Sequence, residues 1–421
     1  MMDWAQIIQS IIYFISLFYV VFWLIVLLDT EDNKKQKLKE TPEVSIAIPA
    51  YNEEDNIVGT LKAVSALNYP KDKIKLIFID DGSKDKTYQR AQQYLESLKR
   101  KFDYKDVIML KQKNQGKYAA MNNALKHADT EFFATLDSDS FPEKNSLINI
   151  MAIFEDKDIK GASSILKIYK PTNVLQKVQS FEYAVNHFYK KLISKVNAIH
   201  VMPGPLSVYR TSIIKKIGGF KDAHKTEDME IVLRMQKKHY KVIQCEDSVV
   251  YTKAPYRLKE LYNQRHRWNY GSFRNVMDYS DMMFRRKYGD FGFFQLPMIL
   301  LSGFLGIILI GLIVMDIIKS AIPTFKMLQM FNFNLFEYYK NTHFNIIWLD
   351  LDLRIFATVM GFFILSMIII WLSFKTYKER YTLKKTIPFI AYLFFYYIFL
   401  AIVWLGVFKD MMLGKGTRWK K

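Results

Sequence analysis

Two aspartates that stand one residue apart are the first feature of the sequence that suggests chemistry. Asp137 and Asp139 follow the short apolar run in "EFFATLD" and are separated only by Ser138. Carboxylates this close repel each other unless a positive charge lies between them. Mg²⁺ usually takes one or two protein carboxylates and completes its shell with water and phosphate oxygens. The spacing therefore predicts a site for Mg²⁺ or Mn²⁺ at Asp139 and Asp137.

A second acidic pair and one lysine also stand where a predicted strand ends or a helix begins. Asp80 and Asp81 end the apolar run in "KIKLIFIDDGSKDKT", and Lys117 begins a predicted helix directly after a glycine in "NQGKYAAMN". Turn and helix-cap chemistry would also explain the aspartates, and Lys117 could be an ordinary solvated lysine. In a binding site, the lysine and the free N–H groups of the helix start would contact a phosphate. The sequence contains no Gly-rich Walker loop, so such a site is not a P-loop.

Two further polar clusters lie later in the chain. Glu227 and Asp228 fall at the predicted helix start in "KTEDMEIVLRMQ", a position that acidic residues favour in any helix. Gln264, Arg267 and Trp268 stand together in "LYNQRHRWNYGSF". Near a membrane, such a helix could be an interfacial anchor. In a binding site, Arg267 would bind a phosphate and Trp268 would form an apolar wall for a sugar ring.

Strands that alternate with helices must position these residues. The segments "EVSIAIPA", "KIKLIFID", "DVIMLKQ" and "EFFATLD" have the composition of strands, while "NIVGTLKAVSAL" and "GKYAAMNNALKHA" have helical spacing. This alternation predicts an α/β fold with a mostly parallel sheet and helices on both faces. In such sheets ligands bind at the carboxyl ends of the strands, and all four aspartates named above fall at those ends.

Apolar stretches flank this region on both sides. Charged residues are absent from residues 5–28, 291–315, 355–372 and 387–408. About 18 to 25 residues suffice to cross the bilayer. The sequence therefore predicts an N-terminal transmembrane anchor in residues 1–28, a soluble domain in 29–290, and a C-terminal region of about three spans with a basic tail in 291–421. The first stretch lacks the basic start and the small-residue cleavage site of a signal peptide, so we expect a retained anchor.

Much of the net charge of +19 lies beside these stretches. The basic residues at the two edges of the soluble region are Lys34, Lys35, Lys37, Lys39, Arg285, Arg286 and Lys287. Basic residues next to spans mark the cytoplasmic side and attract anionic lipid. We therefore expect a multi-pass protein of the cell membrane with a cytoplasmic soluble domain, and a lipid bilayer rather than nucleic acid as its partner. The single cysteine, Cys245, excludes an internal disulfide and a cysteine-rich metal site.

The C-terminal charges do not fit a simple topology. The loop 375–386 and the tail 409–421 are both basic, yet a full span at 387–408 would place them on opposite sides of the membrane. A re-entrant or interfacial segment is the alternative to three full spans.

Taken together, the motifs resemble those of a known family. "PAYNEEDNI", "IDDGSKDKT", "NQGKYAAMNNAL", "LDSDS", "TED" and "QRHRW" occur in the order seen in membrane-embedded family 2 glycosyltransferases, which have the Rossmann-like GT-A fold and a D, D, D, QxxRW signature. Cellulose, hyaluronan and bacterial poly-N-acetylglucosamine synthases belong to this family, and the chain looks most like the last group. The resemblance is sharpest over residues 44–271. It implies inverting transfer from a nucleotide-sugar, such as a UDP-sugar, to a growing β-linked polysaccharide that leaves through the membrane helices.

The resemblance also implies roles on the donor side. Asp80 or Asp81 would contact the base and ribose of the nucleotide, and Lys117 would lie beside it. Asp139 would bind the metal that bridges the diphosphate, with Asp137 close to the metal and to the nucleotide-sugar.

On the acceptor side, the resemblance implies that Asp228, in the motif that also holds Glu227, is the general base. Gln264, Arg267 and Trp268 would hold the diphosphate and frame the acceptor. A divalent cation, Mg²⁺ or Mn²⁺, would be the cofactor, and a polysaccharide or glycolipid would be the acceptor.

Two other functions fit parts of the sequence. Ceramide glucosyltransferases have a similar motif set and add one sugar to a lipid, so the size of the product separates them from polymer synthases. A non-enzymatic basic membrane domain, or a transporter, would have no need of Asp139 or Asp228. A transporter would also carry ionisable residues within its spans, which the charge-free stretches argue against.

The motifs do not specify which sugar is transferred. N-acetylglucosamine follows from the most similar group. An accessory membrane subunit is a further candidate partner.

Overall fold

The computed structural model describes residues 4–28, 38–341, 353–379 and 382–415. The predicted basic cluster Lys34, Lys35 and Lys37 lies outside the described residues, as do the boundary between the predicted anchor and soluble domain and the last part of the basic tail, 416–421.

An eight-stranded sheet lies between the predicted N-terminal anchor and the predicted C-terminal membrane region. Its strands are β1 (Val44–Ala50), β2 (Ile74–Asp80), β3 (Asp106–Lys111), β4 (Phe132–Thr135), β5 (Ser140–Pro142), β6 (Ile159–Ile168), β7 (Ser207–Arg210) and β8 (Lys241–Thr252). Their spatial order is β3-β2-β1-β4-β7-β6-β8-β5.

The sheet is mostly parallel, as the sequence predicts. β1 pairs in parallel with β2 and β4, and β2 pairs in parallel with β3. These are the four strands that sequence periodicity identified. β6 and β8 are also parallel, whereas β7 runs antiparallel to its neighbours β4 and β6, and β5 runs antiparallel to β8. The reversed β7 joins two parallel groups of strands into one sheet.

The helices are α1 (Trp4–Leu28), α2 (Ile57–Ser65), α3 (Thr87–Lys101), α4 (Lys117–Lys126), α5 (Ser146–Ala152), α6 (Val174–Lys195), α7 (Thr211–Lys216), α8 (Glu227–Lys237), α9 (Leu258–Asp278), α10 (Leu296–Met330), α11 (Leu335–Asn341), α12 (Leu353–Thr376), α13 (Thr386–Ala391) and α14 (Tyr397–Met412). Two π-helical turns, Phe291–Gln295 and Tyr392–Tyr396, precede α10 and α14.

Apolar cores lie on both faces of the sheet. In β1, Ile46 and Ile48 pack into one core and Ala47 packs into the other, because successive side chains of a strand point to opposite faces. The first core includes Leu61 of α2 and the second includes Leu233 of α8. Helices therefore cover both faces, and the predicted α/β layering is confirmed.

Within the described ranges, three helical segments are long and apolar enough to cross a membrane: Ser10–Leu28, Phe291–Ile308 and Thr386–Met412. They coincide with three of the predicted charge-free stretches. The remaining stretch, 355–372, lies in α12, where the described apolar segment Phe363–Thr376 is shorter, so a span there stays a prediction. α14 packs against both α9 and α10, so α9 lies next to two of the apolar helices.

Candidate active site

A large cavity lies at the carboxyl ends of β1, β2 and β4, and the sequence motifs meet there. Its volume is about 1330 Å³. Its walls include every candidate residue except Asp80, namely Asp81, Lys117, Asp137, Asp139, Glu227, Asp228, Gln264, Arg267 and Trp268. The cavity also reaches Met298 of α10 and Trp404 of α14. It therefore connects the motif residues with two of the segments that can cross a membrane.

The two aspartates after β2 have different surroundings. Asp81 accepts hydrogen bonds from the backbone N–H groups of Gln115 at 3.1 Å and Gly116 at 3.0 Å, and from the Gln112 side chain at 2.8 Å. Its carboxylate thus fixes the loop before α4, where the φ of Gly116 is +93° and favours glycine. Asp80 is fully buried, and neither of its carboxylate oxygens has a hydrogen-bond partner among the described residues. Of the pair, Asp81 faces the cavity.

Lys117 lies between carboxylates from two parts of the chain. Its Nζ is 2.5 Å from Asp137 Oδ1 and 3.6 Å from Glu227 Oε1. Burial alone would lower the pKa of Lys117, but Asp137, Glu227 and Asp228 outweigh it and raise the pKa. The ammonium group therefore stays charged. Gly204 permits this arrangement, because a Cβ there would overlap both the ammonium nitrogen and a carboxylate oxygen of Asp137.

The turn that carries the paired aspartates follows β4 directly. The hydroxyl of Thr60 in α2 donates to the Ser138 carbonyl oxygen at 2.7 Å, and this hydrogen bond holds the turn against α2. Asp139 accepts a hydrogen bond from the Ser140 hydroxyl at 3.2 Å. Both carboxylates line the cavity, so the turn presents them together as the spacing predicts.

The charges of this turn fit a divalent cation. Burial raises the pKa of Asp139 to about 6, and the negative charges of Asp137 and Glu53 contribute to the rise. A cation beside the pair would relieve this repulsion. Within the described residues no group of three or more metal-ligating side chains is found. Two carboxylates nevertheless suffice for Mg²⁺ when water and phosphate oxygens complete its shell, so the pair suits a cation that binds together with a phosphate ligand.

Asp228 lies in the first turn of α8, which begins at Glu227. Burial raises the pKa of Asp228 to about 6; Glu227 adds to the shift, while Lys117 and Arg267 oppose it. The group therefore changes its charge close to neutral pH. A pKa in this range suits a general base, which must be deprotonated before the reaction and must hold a proton afterwards.

Helix α9 holds the acidic turn in place. A Cβ on Gly271 would overlap the Thr226 hydroxyl oxygen, so glycine allows close packing there. The Asn275 side chain donates to the same hydroxyl oxygen at 2.8 Å, and Arg267 donates to the Lys225 carbonyl oxygen at 2.9 Å. Sequence analysis identified Arg267 but missed Gly271 and Asn275, since neither residue type signals a contact with a segment so far away in the chain.

Arg265 ties α9 to its neighbours. Its Nε donates to Glu182 Oε1 of α6 at 3.0 Å and to the Tyr396 hydroxyl, in the π-helical turn before α14, at 3.3 Å. The guanidinium group lies 4.3 Å from the centroid of the Trp268 ring, a cation–π distance, and also donates to the Gln264 side-chain oxygen. This buried arginine therefore sets the positions of Gln264 and Trp268.

Helix α6 forms a cavity wall that sequence analysis missed. Its cavity-lining residues include Tyr183, Asn186, His187 and Lys190. The spacing i, i+3, i+4, i+7 places them on one face of the helix. A polar stripe at helical spacing is visible in the sequence, but nothing local shows that it faces a site.

Two family models match the chain. "Glycosyl transferase family 2" matches residues 45–218, and "Glycosyl transferase family group 2" matches residues 132–409, which is more than half of the chain.

Curated relatives cover part of the chain. It is 27% identical over 260 residues to "Probable glycosyltransferase YdaM" of Bacillus subtilis (strain 168), and the match covers 60% of each protein. It is 26% identical over 239 residues to poly-beta-1,6-N-acetyl-D-glucosamine synthase of Staphylococcus epidermidis, and that match covers 56% of each protein. The chain thus matches less than two thirds of the length of these relatives.

A solved structure shares the fold. The mannosyltransferase PcManGT from Pyrobaculum calidifontis, in complex with GDP-Man and Mn²⁺, superposes with a TM-score of 0.59 at 19% identity and covers 72% of this chain and 80% of its own. The second family model spans the aspartate turn after β4, the acidic first turn of α8 and the α9 cluster, all of which line one cavity at the strand ends. The chain therefore belongs to glycosyltransferase family 2, enzymes that act on nucleotide-sugars, and the region of its eight-stranded sheet has the GT-A fold.

Proposed function

We propose that this enzyme transfers a sugar with inversion from a UDP-sugar to a growing β-linked polysaccharide and exports the product as it grows. The observation that carries the proposal is the extent of the cavity, which runs from Asp81 and Asp137 to Met298 of α10 and Trp404 of α14. A polymer made at the strand ends would need such a path into the membrane helices. The Staphylococcus relative named as a poly-N-acetylglucosamine synthase favours N-acetylglucosamine as the sugar.

In this proposal Asp81 contacts the base and ribose of the donor, whereas Asp80 is buried at the end of β2 and does not line the cavity. Lys117 and Arg267 lie beside the diphosphate. Their positive charges stabilise the negative charge that develops on the leaving group. The carboxylate of Asp137 keeps Lys117 charged and in place.

Asp139 and Asp137 would hold Mg²⁺ or Mn²⁺, which supplies further positive charge to the diphosphate when bound. The raised pKa of Asp139 supports the assignment, because part of the rise reflects repulsion between carboxylates that a cation would remove. The presence of Mn²⁺ in the PcManGT complex adds support from a protein of the same fold.

Asp228 acts as the general base in the proposed mechanism. It takes the proton of the acceptor hydroxyl, whose oxygen forms a bond to the anomeric carbon while the bond from that carbon to the diphosphate breaks. One such displacement converts an α-linked donor into a β-linked product. Glu227 contributes to catalysis because its negative charge raises the pKa of Asp228. Gln264 and Trp268 lie around the acceptor.

We place residues 1–28 as the membrane anchor, 29–290 as a cytoplasmic catalytic domain and 291–421 as the C-terminal membrane region of a multi-pass protein of the cell membrane. The exposed basic residues Arg285 and Arg286 directly before Phe291–Ile308 support the cytoplasmic side. The stacking of Phe22 on Phe294 at 4.2 Å supports assembly of the two ends in one bilayer. An accessory membrane subunit is part of the proposal as a partner in export.

Sugar incorporation by the purified full-length protein in liposomes tests the proposal. Radiolabelled UDP-sugars are offered one at a time with Mg²⁺ or Mn²⁺, and products are separated by size. We expect a polymer from UDP-N-acetylglucosamine that disappears in Asp139→Asn. A product of one sugar on a lipid would replace the polymer proposal with transfer to a lipid acceptor.

A further inference from the structure

The N-terminal helix contributes a side chain to the cavity of the candidate active site. Tyr19 of α1 lines this cavity, and its hydroxyl oxygen lies 2.8 Å from that of Tyr189 in α6. Trp23, one turn further along α1, is 8% exposed and packs edge-on against the Tyr189 ring, with 5.3 Å between the ring centroids. This packing fixes the face that α1 turns towards α6. Membrane anchoring alone does not require a hydroxyl in the cavity.

The contact between the two tyrosines continues as a hydrogen-bond chain with one direction. The Tyr189 hydroxyl donates to Gln295 Oε1 at 2.8 Å, and Gln295 Nε2 donates to Nδ1 of His200 at 2.9 Å. A hydroxyl has a single proton to donate, and Tyr189 gives its proton to Gln295. Tyr19 is therefore the donor to Tyr189. The chain joins α1, α6, the π-helical turn before α10 and the loop before β7.

The end of this chain determines which nitrogen of His200 carries a proton. Because Nδ1 accepts from Gln295, the neutral imidazole carries its proton on Nε2. Partial burial and, to a smaller extent, the positive charge of Lys190 lower the pKa of His200 to about 3, so the ring is neutral near pH 7. The side chain is partly exposed and lines the cavity. His200 therefore offers a ligand one uncharged hydrogen-bond donor.

His200 lies on the part of the cavity that leads to the membrane helices. Its partner Gln295 is the first of four cavity-lining residues at the spacing i, i+3, i+4, i+7, followed by Met298, Ile299 and Ser302. The proposed diphosphate site, by contrast, is marked by positively charged side chains. An uncharged donor suits the hydroxyl and acetamido oxygens of a sugar chain, so the acceptor is the ligand that fits this position.

We propose that His200 donates a hydrogen bond from Nε2 to an uncharged oxygen of the acceptor sugar chain, and that α1 helps to hold it in the tautomer that can do so. The inference rests on the proposed function and gives the N-terminal helix a role in the acceptor site. His200 is the binding residue. Tyr19, Tyr189 and Gln295 are positioning residues that act through it.

Binding of an oligosaccharide to His200 variants tests the donor without requiring turnover. The probe is a β-linked N-acetylglucosamine oligosaccharide, and the full-length protein is used in phosphatidylcholine nanodiscs with and without UDP. Loss of one neutral hydrogen bond should weaken binding about 3- to 10-fold, so we expect this effect in His200→Phe with UDP affinity unchanged. The amide nitrogen of glutamine can take the place of Nε2, whereas that of asparagine reaches only the place of Nδ1. His200→Gln should therefore bind more tightly than His200→Asn. Equal affinities of these two variants, or wild-type affinity in His200→Phe, would overturn the contact.

The tautomer of His200 tests the role of α1 separately. The full-length protein, labelled with ¹⁵N-histidine, is placed in phosphatidylcholine liposomes, and His200 is identified as the NMR signal that His200→Gln lacks. We expect the proton on Nε2 in the wild type and a mixture of both tautomers in Gln295→Met, together with weaker oligosaccharide binding. Tyr19→Phe should cause a smaller change of the same kind. Tyr13→Phe is the matched control, because it makes the same substitution in α1 at a residue that does not line the cavity, and it should match the wild type.

Three results would contradict the positioning chain or the acceptor. A proton on Nδ1 in the wild type would reverse the chain and overturn the inference. An unchanged His200 signal and unchanged oligosaccharide affinity in Tyr19→Phe would remove α1 from the site, even if the melting temperature fell. Failure of the wild type to bind the oligosaccharide while it binds UDP would reject the proposed acceptor, and the NMR result, which needs no ligand, would still decide whether the chain sets the tautomer.

Discussion

The rate of sugar transfer should fall in acid because Asp228, the proposed general base, must be deprotonated to accept a proton. Burial and the charge of Glu227 raise the pKa of Asp228 to about 6. The base is therefore active well above pH 6 and is lost as the pH falls through that value. For one titrating group, kcat should be about half of its maximum at pH 6 and about a tenth at pH 5.

Two variants give this prediction a sharper form. Asp228→Asn should lower kcat by about 10²- to 10⁴-fold and remove the acidic limb of the profile. Glu227→Gln removes the negative charge that raises the pKa, while Lys117 and Arg267 continue to lower it, so the midpoint should move to lower pH.

The assay measures UDP release between about pH 4.5 and 8, with UDP-sugar and Mn²⁺ both saturating so that the metal keeps Asp139 ionised. Donor KM is followed in parallel, because Glu227 also contacts Lys117. A midpoint that does not move in Glu227→Gln, or an acidic limb that persists in Asp228→Asn, would refute the assignment of the base.

Three further outcomes follow from the same geometry. Mn²⁺ affinity, measured by calorimetry in the presence of UDP, should weaken as the pH falls below about 6, because the raised pKa of Asp139 makes protons compete with the metal. Gly204→Ala should lower kcat/KM more than about tenfold with little change in melting temperature, because the new methyl group would meet the Asp137 carboxylate. Glu182→Gln leaves the buried Arg265 cation without its partner, so it should destabilise the fold by about 3–5 kcal/mol, measured as a lower melting temperature in detergent.

Each of these outcomes has a result that would contradict it, and Gly204→Ala also has a control variant. Gly306→Ala is the match for Gly204→Ala, because a Cβ at Gly306 meets no atom within 4 Å. Equal activity of the two variants would contradict the packing around Gly204. A melting temperature of Glu182→Gln at the wild-type value would contradict the role of the ion pair. If the Mn²⁺ affinity did not depend on pH, the assignment of Asp139 as a metal ligand would be wrong.

The parallel strands and their polar ends are predictable because both signals are local. Continuous apolar runs identify the strands, and the residue that follows a strand must lie at its carboxyl end. The sequence alone therefore places Asp81, Asp137 and Asp139 together. It does not distinguish Asp80 from Asp81, because the two residues differ only in the direction of their side chains relative to the sheet. In the structure Asp80 points into the core and Asp81 lines the cavity.

The rest of the site depends on contacts between distant segments. The close approach of Lys117, Asp137 and Gly204 joins three parts of the chain, and no local pattern marks the glycine as necessary. The polar stripe of α6 has an ordinary amphipathic spacing, and its orientation is set by packing of the opposite face against the sheet and the apolar helices. The continuation of the cavity to Trp404 likewise depends on how α14 packs against α9 and α10.

The most direct test of single displacement at Asp228 is the anomeric configuration of the product. The purified full-length protein is supplied with one α-linked UDP-sugar and Mn²⁺, and the linkage formed is read by proton NMR. A β-linked polysaccharide is the predicted result. An α-linked product would require a second displacement and would contradict the proposed mechanism.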